Sequence, residues 1–247
     1  MEDKTVKIKL WEQIVGYLTW DNRNKRSHFK FDKDIIKFNE CDDFPSTLVE
    51  MAYYKMATSA DIKMMNSKLI EVEGRKHFLT ERFDRLNGEK LHVQTLAGIS
   101  ELADSYDDMF TIARRLHLSQ AEKEQLFRQM VFNVLAKNVD DHTKNFSFIM
   151  DRKGKWSLAP AYDITFAVDL SAPRYANRQS LNILGKNENI TEADFLKIAE
   201  TENIKSAEKI IADIRYNIAN FGTFAKQVGI SDNWTRKIEE ALRPQVS

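Results

Sequence analysis

The chain has 247 residues, with 37 Lys and Arg balanced by 37 Asp and Glu, one cysteine and eight glycines. At 43% hydrophobic and 30% charged residues it reads as a soluble chain long enough to bury a core, and its scarce glycine excludes collagen-like and linker-rich classes. Cys41 alone makes no intramolecular disulfide or zinc cluster, no apolar run is long enough for a membrane span, and the balanced charge argues against a life on bulk nucleic-acid electrostatics, so a reducing cytoplasm is the expected setting.

Val6, Ile8 and Leu10 alternate with lysines, which predicts a half-buried strand. Residues 15–20 and 28–31 continue the strand pattern around a basic turn at 21–27, and 35–38 is another short candidate. Pro45 and Ser46 open a helix carrying Leu48, Met51, Ala52 and Met56 at helical spacing. Residues 69–73 and 76–81 flank Gly74 as a hairpin. From about Ser100 the pattern turns helical. Ser119 and Glu122 form a capping box ahead of an apolar face of Leu126, Phe127, Met130, Val131 and Val134. A second hairpin spans 146–150 and 155–158, turned by Arg152, Lys153 and Gly154. Thr191 and Asp194 start another helix, and 202–228 and 231–242 read as two more. The expected fold is α+β and bilobal, with a small mixed lobe over 1–85 and a larger, mainly helical lobe over 86–247.

The densest chemistry lies in residues 138–145, Asn-Val-Asp-Asp-His-Thr-Lys-Asn, between the capped helix and the second hairpin. A polar turn would use the same residue types. A third acid beyond the hairpin, Asp163, favours a site, because a hairpin returns the chain to where it left. Oxygen donors from Asn145 and Asp163, completed by phosphate oxygens and water, suit magnesium. Asp140 and Asn145 also stand five apart, as in the kinase pattern H-R-D-x-x-x-x-N, where Asp takes the acceptor proton and Asn holds metal. The preceding His-Arg and a Phe-Gly after Asp163 are absent. Lys37, alone in an apolar strand pattern, fits a phosphate-gripping lysine or a charge that blunts a sheet edge. Glu50 on the following helix is placed to pair with it. Residues 78–85 leave the first hairpin where a hinge between lobes would run.

This ordered set resembles the HipA family of serine/threonine kinases, the toxins of HipA–HipB toxin–antitoxin pairs. The likeness rests on residues 81–85, 91–96, 132–146 and 158–163, with 36–38 and the helix around Glu50, and covers roughly 33–245. It implies an ATP- and Mg²⁺-dependent protein kinase. Asp140 would be the catalytic base, Asn145 and Asp163 the metal ligands, and Lys37 the phosphate lysine. His142 would face the phosphates, Glu81 and Phe83 would line the adenine, and Asp84 would reach the ribose. The substrate would be a protein hydroxyl, with an aminoacyl-tRNA synthetase the best-known family target, and phosphorylation would slow translation and growth. The implied partner is a HipB-like helix-turn-helix antitoxin, with DNA contacted mainly through it, and no membrane. The family's phosphate-covering loop finds no room between Asp32 and Ile35, so a segment is expected to be missing near 32–34. That gap keeps a second reading open, a kinase-fold module that binds a partner or nucleotide without turnover. A magnesium-dependent nuclease using Asp140, Asp141 and Lys144 is a third.

Overall fold

The computed structural model describes residues 4–10, 13–21, 26–31, 44–72, 74–86, 89–171 and 177–243. Lys37, the strand candidate at 35–38 and the gap expected at 32–34 lie outside the described residues. The chain divides into two compact units, Met1–Phe44 and Pro45–Ser247.

The first unit is an antiparallel meander of β1 (Lys4–Leu10), β2 (Gln13–Asp21) and β3 (Arg26–Phe31), in that spatial order. Val6 lies opposite Leu18, and Leu18 opposite Phe29, so the alternating pattern falls into one register.

In the second unit α1 (Ser46–Ser59) starts at the expected residue, behind Pro45. It packs on the hairpin of β4 (Ser67–Val72) and β5 (Arg75–Thr80), which turns at Gly74 with φ +75°. A two-residue pair follows, β6 (Arg85–Leu86) with β7 (Glu89–Lys90). Then β8 (His92–Thr95) runs into the short α2 (Leu96–Ile99). β8 completes an antiparallel sheet of order β10-β9-β8 with β9 (Ser147–Met150) and β10 (Trp156–Leu158). The β9–β10 turn is tied by Asp151, whose Oδ1 accepts from the N–H groups of Lys153 and Lys155, and Gly154 supplies φ +81°.

The helical part begins with α3 (Tyr106–Arg115) and α4 (Gln120–Leu135). Both halves of the Ser119–Glu122 capping box form. Leu126, Phe127, Gln129, Met130, Val131, Phe132 and Asn133 are buried all round α4, which makes it the central helix. Around it lie α5 (Glu192–Thr201), opened by the Thr191–Asp194 capping box, α6 (Ala207–Ala219), α7 (Phe221–Val228) and α8 (Asp232–Leu242). The expected single helix over 202–228 is therefore two. Glu202 closes α5, and Asn220 separates α6 from α7, its side-chain amide donating to the Tyr216 carbonyl. Asparagine offers the backbone such local bonds in competition with helix, and the break seats Phe221 in the core.

Tyr53 of α1 joins these layers. Its ring meets Phe132, Phe166 and Phe221 edge-on at 5.9–6.4 Å, and its hydroxyl donates to the Ala136 carbonyl at 2.6 Å. This bond fixes α1, and with it Glu50 one turn earlier, to the C-terminal end of α4, where the polar loop begins.

Candidate functional site

The 138–145 loop leaves α4 through Lys137, whose φ of +58° turns the chain out of the helix, and ends in a 3-10 turn at Thr143–Asn145 that feeds β9. Its two adjacent carboxylates have opposite fates. The Asp140 side chain is 66% exposed, whereas Asp141 is fully buried. Asn145 is buried, and its side-chain N–H donates to the Asp140 carbonyl at 2.9 Å, closing the loop on itself. His142 Nε2 stands 3.8 Å from Asp140 Oδ1, and its buried Nδ1 has no hydrogen-bond partner among the described residues.

The hairpin brings Asp163 back to this loop, as its position predicts. The Asn138 amide donates to the Asp163 carbonyl at 3.5 Å, and Tyr162 donates its hydroxyl to the Lys144 carbonyl at 2.6 Å. Ser147 supplies a second bond to that hydroxyl at 2.6 Å. Asp163 has φ +55°, a left-handed conformation uncommon for a residue with a side chain, and it is exposed. Ala161 pairs with Met64 just beyond α1, which draws the 160–163 segment toward that helix. Burial, and then the neighbouring Asp163 charge, push the Glu50 carboxyl above its usual range. Glu50 and Asp163 are thus near enough for their charges to repel. The expected partner of Glu50, Lys37, is outside the described residues.

Of residues 81–85, the expected hinge, Phe83 approaches the loop through Tyr162. Phe83 stacks on Tyr162 with ring centroids 5.5 Å apart and planes 23° from parallel. One tyrosine ring therefore touches both the 81–85 stretch and the 138–145 loop. Asp84 is bound by Arg82 at 2.7–2.8 Å and by Arg85, and these cations hold its carboxyl down at about 2. Glu81 is exposed, and its backbone N–H is committed to the Asn66 carbonyl at 3.0 Å.

Beneath Asp140 lies a polar network that the sequence reading did not single out. Asp141 accepts from the Tyr106 hydroxyl at 2.6 Å, the Ser180 and Leu181 N–H groups at 2.8 and 3.2 Å, and the Gln179 side chain at 3.3 Å. Burial pushes its carboxyl up to about 6, against the downward pull of these donors. The available signal was a pair of consecutive acids in a loop between apolar elements.

The oxygen donors carried by the loop and the returning segment are the buried amide of Asn145 and the exposed carboxylates of Asp140 and Asp163. Among the described residues no group of three or more His, Cys, Asp or Glu side chains is placed to hold a metal ion. The sparse oxygen set fits an ion that keeps several waters and shares phosphate oxygens, which is magnesium's preference.

A family model described as the HipA-like C-terminal domain matches residues 7–221. A Sinorhizobium fredii protein named "Putative kinase Y4mE" is 28% identical over 171 residues, which cover 61% of this chain and 39% of that protein. A Haemophilus influenzae protein named "Putative kinase" is 29% identical over 101 residues, covering 35% of this chain and 29% of that protein. The chain thus spans about two-fifths or less of the curated relatives it matches. HipA from a Shewanella oneidensis complex of HipA, HipB and operator DNA superposes with a TM-score of 0.62 at 13% identity, covering 97% of this chain and 63% of that one. The Helicobacter pylori proinflammatory kinase CtkA gives 0.56 at 15% identity, with 96% and 89% covered. At such identities the likeness speaks for fold, and it establishes the expected α+β, kinase-like architecture.

Proposed function

Because this chain belongs to the HipA-like C-terminal domain family, we propose that it is an ATP- and magnesium-dependent protein serine/threonine kinase. The observation that carries this reading is the return of Asp163 to the Asp140–Asn145 loop, fixed by Asn138 and by Tyr162. These bonds draw the segment that carries Asp163 to the loop that carries Asp140 and Asn145.

The residues divide the work as follows. Asp140, exposed on a loop with buried anchors, accepts the proton of the incoming hydroxyl and orients it. Asn145 commits its N–H inward to the Asp140 carbonyl, which leaves its amide oxygen free; that oxygen and the Asp163 carboxylate would hold magnesium. His142 faces the phosphates, Glu81 and the Phe83 ring line the adenine, and Asp84 reaches the ribose while its arginines keep it ionised; Lys37, outside the described residues, takes its phosphate role from the family resemblance alone. When bound, Mg-ATP supplies the phosphoryl group and neutralises its charge. The protein contributes position and electrostatics, as suits a loose transition state. In this reading the lobe boundary lies near residue 85, at the hinge.

We place the protein in the cytoplasm; no helix among the described residues is long and apolar enough to cross a membrane. The substrate is a protein hydroxyl, with a component of translation the favoured class. The partner is a HipB-like antitoxin, by analogy with the Shewanella complex of HipA, HipB and operator DNA; the family resemblance makes it a helix-turn-helix protein through which DNA is mainly contacted.

Calorimetric titration with Mg-ATP, followed by radiolabelled phosphate transfer to casein, tests the assignment. Saturable binding with transfer supports it. Binding without transfer supports the non-catalytic module instead, and salt-dependent nucleic-acid cleavage without nucleotide binding supports the nuclease.

A further inference from the structure

Asp141 is the buried ionisable group in the loop that the proposed chemistry does not use. Both of its oxygens bond the 179–181 segment, and Oδ2 also bonds Tyr106 of α3. Oδ1 accepts from the backbone N–H groups of Ser180 and Leu181, at 2.8 and 3.2 Å. Oδ2 accepts from the Tyr106 hydroxyl at 2.6 Å and the Gln179 amide at 3.3 Å. All four partners are donors, so the site is built for an acceptor-only group. The Ser180 hydroxyl and N–H also reach the Val139 carbonyl, both at 3.0 Å, so the 179–181 segment is fastened to the loop on either side of Asp140.

The other half of the network leads to Asp163. Tyr106 accepts from the Asn133 amide at 3.0 Å. Asn133 in turn accepts from Asn138 at 3.1 Å, and Asn138 also reaches the Asp163 carbonyl at 3.5 Å. Asn133 and Asn138 are buried, and Tyr106 is fully enclosed with its ring edge-on to Phe146. One carboxylate thus connects the base's loop, the residue that follows the hairpin, and a segment downstream of Asp163 that borders the loop.

We propose that Asp141 is a positioning residue for phosphoryl transfer, locking the 179–181 segment against the Asp140 loop so that an acceptor hydroxyl presented along that segment meets the base. This deepens the kinase reading and rests on it. The nucleotide-facing residues Glu81, Phe83 and Asp84 make none of these bonds, so the role falls on the acceptor side. A carboxylate that served packing alone would need partners too, but its partner segment would not have to bond both neighbours of the base, as Ser180 bonds Val139 and Asp141.

The test compares the full chain with D141N and Y106F. Asparagine keeps the shape of Asp141 but turns one acceptor into a donor facing donors, and Y106F cuts only the arm toward Asp163. Three readouts are taken: Mg-ATP affinity by calorimetry, kcat and KM for casein phosphorylation, and amide hydrogen exchange at Ser180 and Leu181. D141N is expected to hold its Mg-ATP Kd within about twofold while kcat falls by about 100-fold, the scale of a 1 Å misplacement at a reacting centre. Its Ser180 and Leu181 amides will exchange faster. Y106F will show a smaller kcat loss, and it decides the matter if D141N does not fold.

Wild-type kcat in D141N, or a kcat loss matched by lost Mg-ATP binding in both variants, overturns the proposal. If the unaltered chain transfers no phosphate at all, it is the kinase reading that fails. Exchange then judges the anchor by itself: unchanged protection at 180 and 181 in D141N rejects it, and selective loss there supports it.

Discussion

Replacing Asp141 by asparagine will flatten the pH dependence of stability between about pH 4 and pH 7. In the folded chain Asp141 is fully buried, and burial raises its carboxyl from an ordinary 3.8 to about 6. The unfolded chain restores the ordinary value, so between the two the folded state binds the proton more tightly. The contribution of this group is therefore fully present below pH 3.8 and is lost as pH rises through 6. A difference near two pH units at 1.36 kcal/mol each amounts to about 3 kcal/mol. Asparagine cannot titrate, and the mismatch of its amide with the surrounding donors is a pH-independent offset. Urea unfolding of both proteins, followed by circular dichroism from pH 4 to 7.5, should show wild type losing about 3 kcal/mol relative to D141N. A difference that stays constant, or that grows in favour of wild type as pH rises, refutes the reasoning. The second outcome would mean that the four donors outweigh burial. If the expected result holds, the protein gives up stability at neutral pH to keep an ionised anchor beneath the Asp140 loop.

Tyr162→Phe removes the donor to the Lys144 carbonyl and the partner of Ser147 while keeping the stack on Phe83. It should cost about 1 kcal/mol in urea unfolding and raise the Kd for Mg-ATP. Ser119→Ala breaks the capping box of α4 far from that face, so it should cost about 1 kcal/mol with Mg-ATP affinity unchanged.

Much of the fold could be read where side chains act on their own backbone. The two capping boxes at Ser119 and Thr191 mark helix starts because a hydroxyl and a carboxylate three residues apart satisfy the same exposed N–H groups wherever they occur. Gly74 and Gly154 mark turns because their positive φ disfavours other residues. The return of Asp163 followed from hairpin geometry alone. Other features depend on distant contacts. The β8 stretch, His-Val-Gln-Thr, is too short and too mixed to declare a strand, and its pairing with β9 supplies what its sequence lacks. The break at Asn220 is decided by the pocket that takes Phe221 between Tyr53 and its neighbours. The separation of Asp140 from Asp141 is the clearest case. Adjacent loop residues of one type carry no periodicity, and only Tyr106, Ser180 and Leu181, remote in sequence, determine which carboxylate turns inward.

If Asp140 is the base of the proposed kinase, its removal stops phosphate transfer without disturbing the fold or nucleotide binding. Single-turnover transfer of radiolabelled phosphate, with wild type and D140A compared at saturating Mg-ATP, tests it most directly. The account predicts that D140A binds Mg-ATP as wild type does, unfolds at the same urea concentration, and transfers no measurable phosphate. Transfer at the wild-type rate by folded, nucleotide-bound D140A would contradict it.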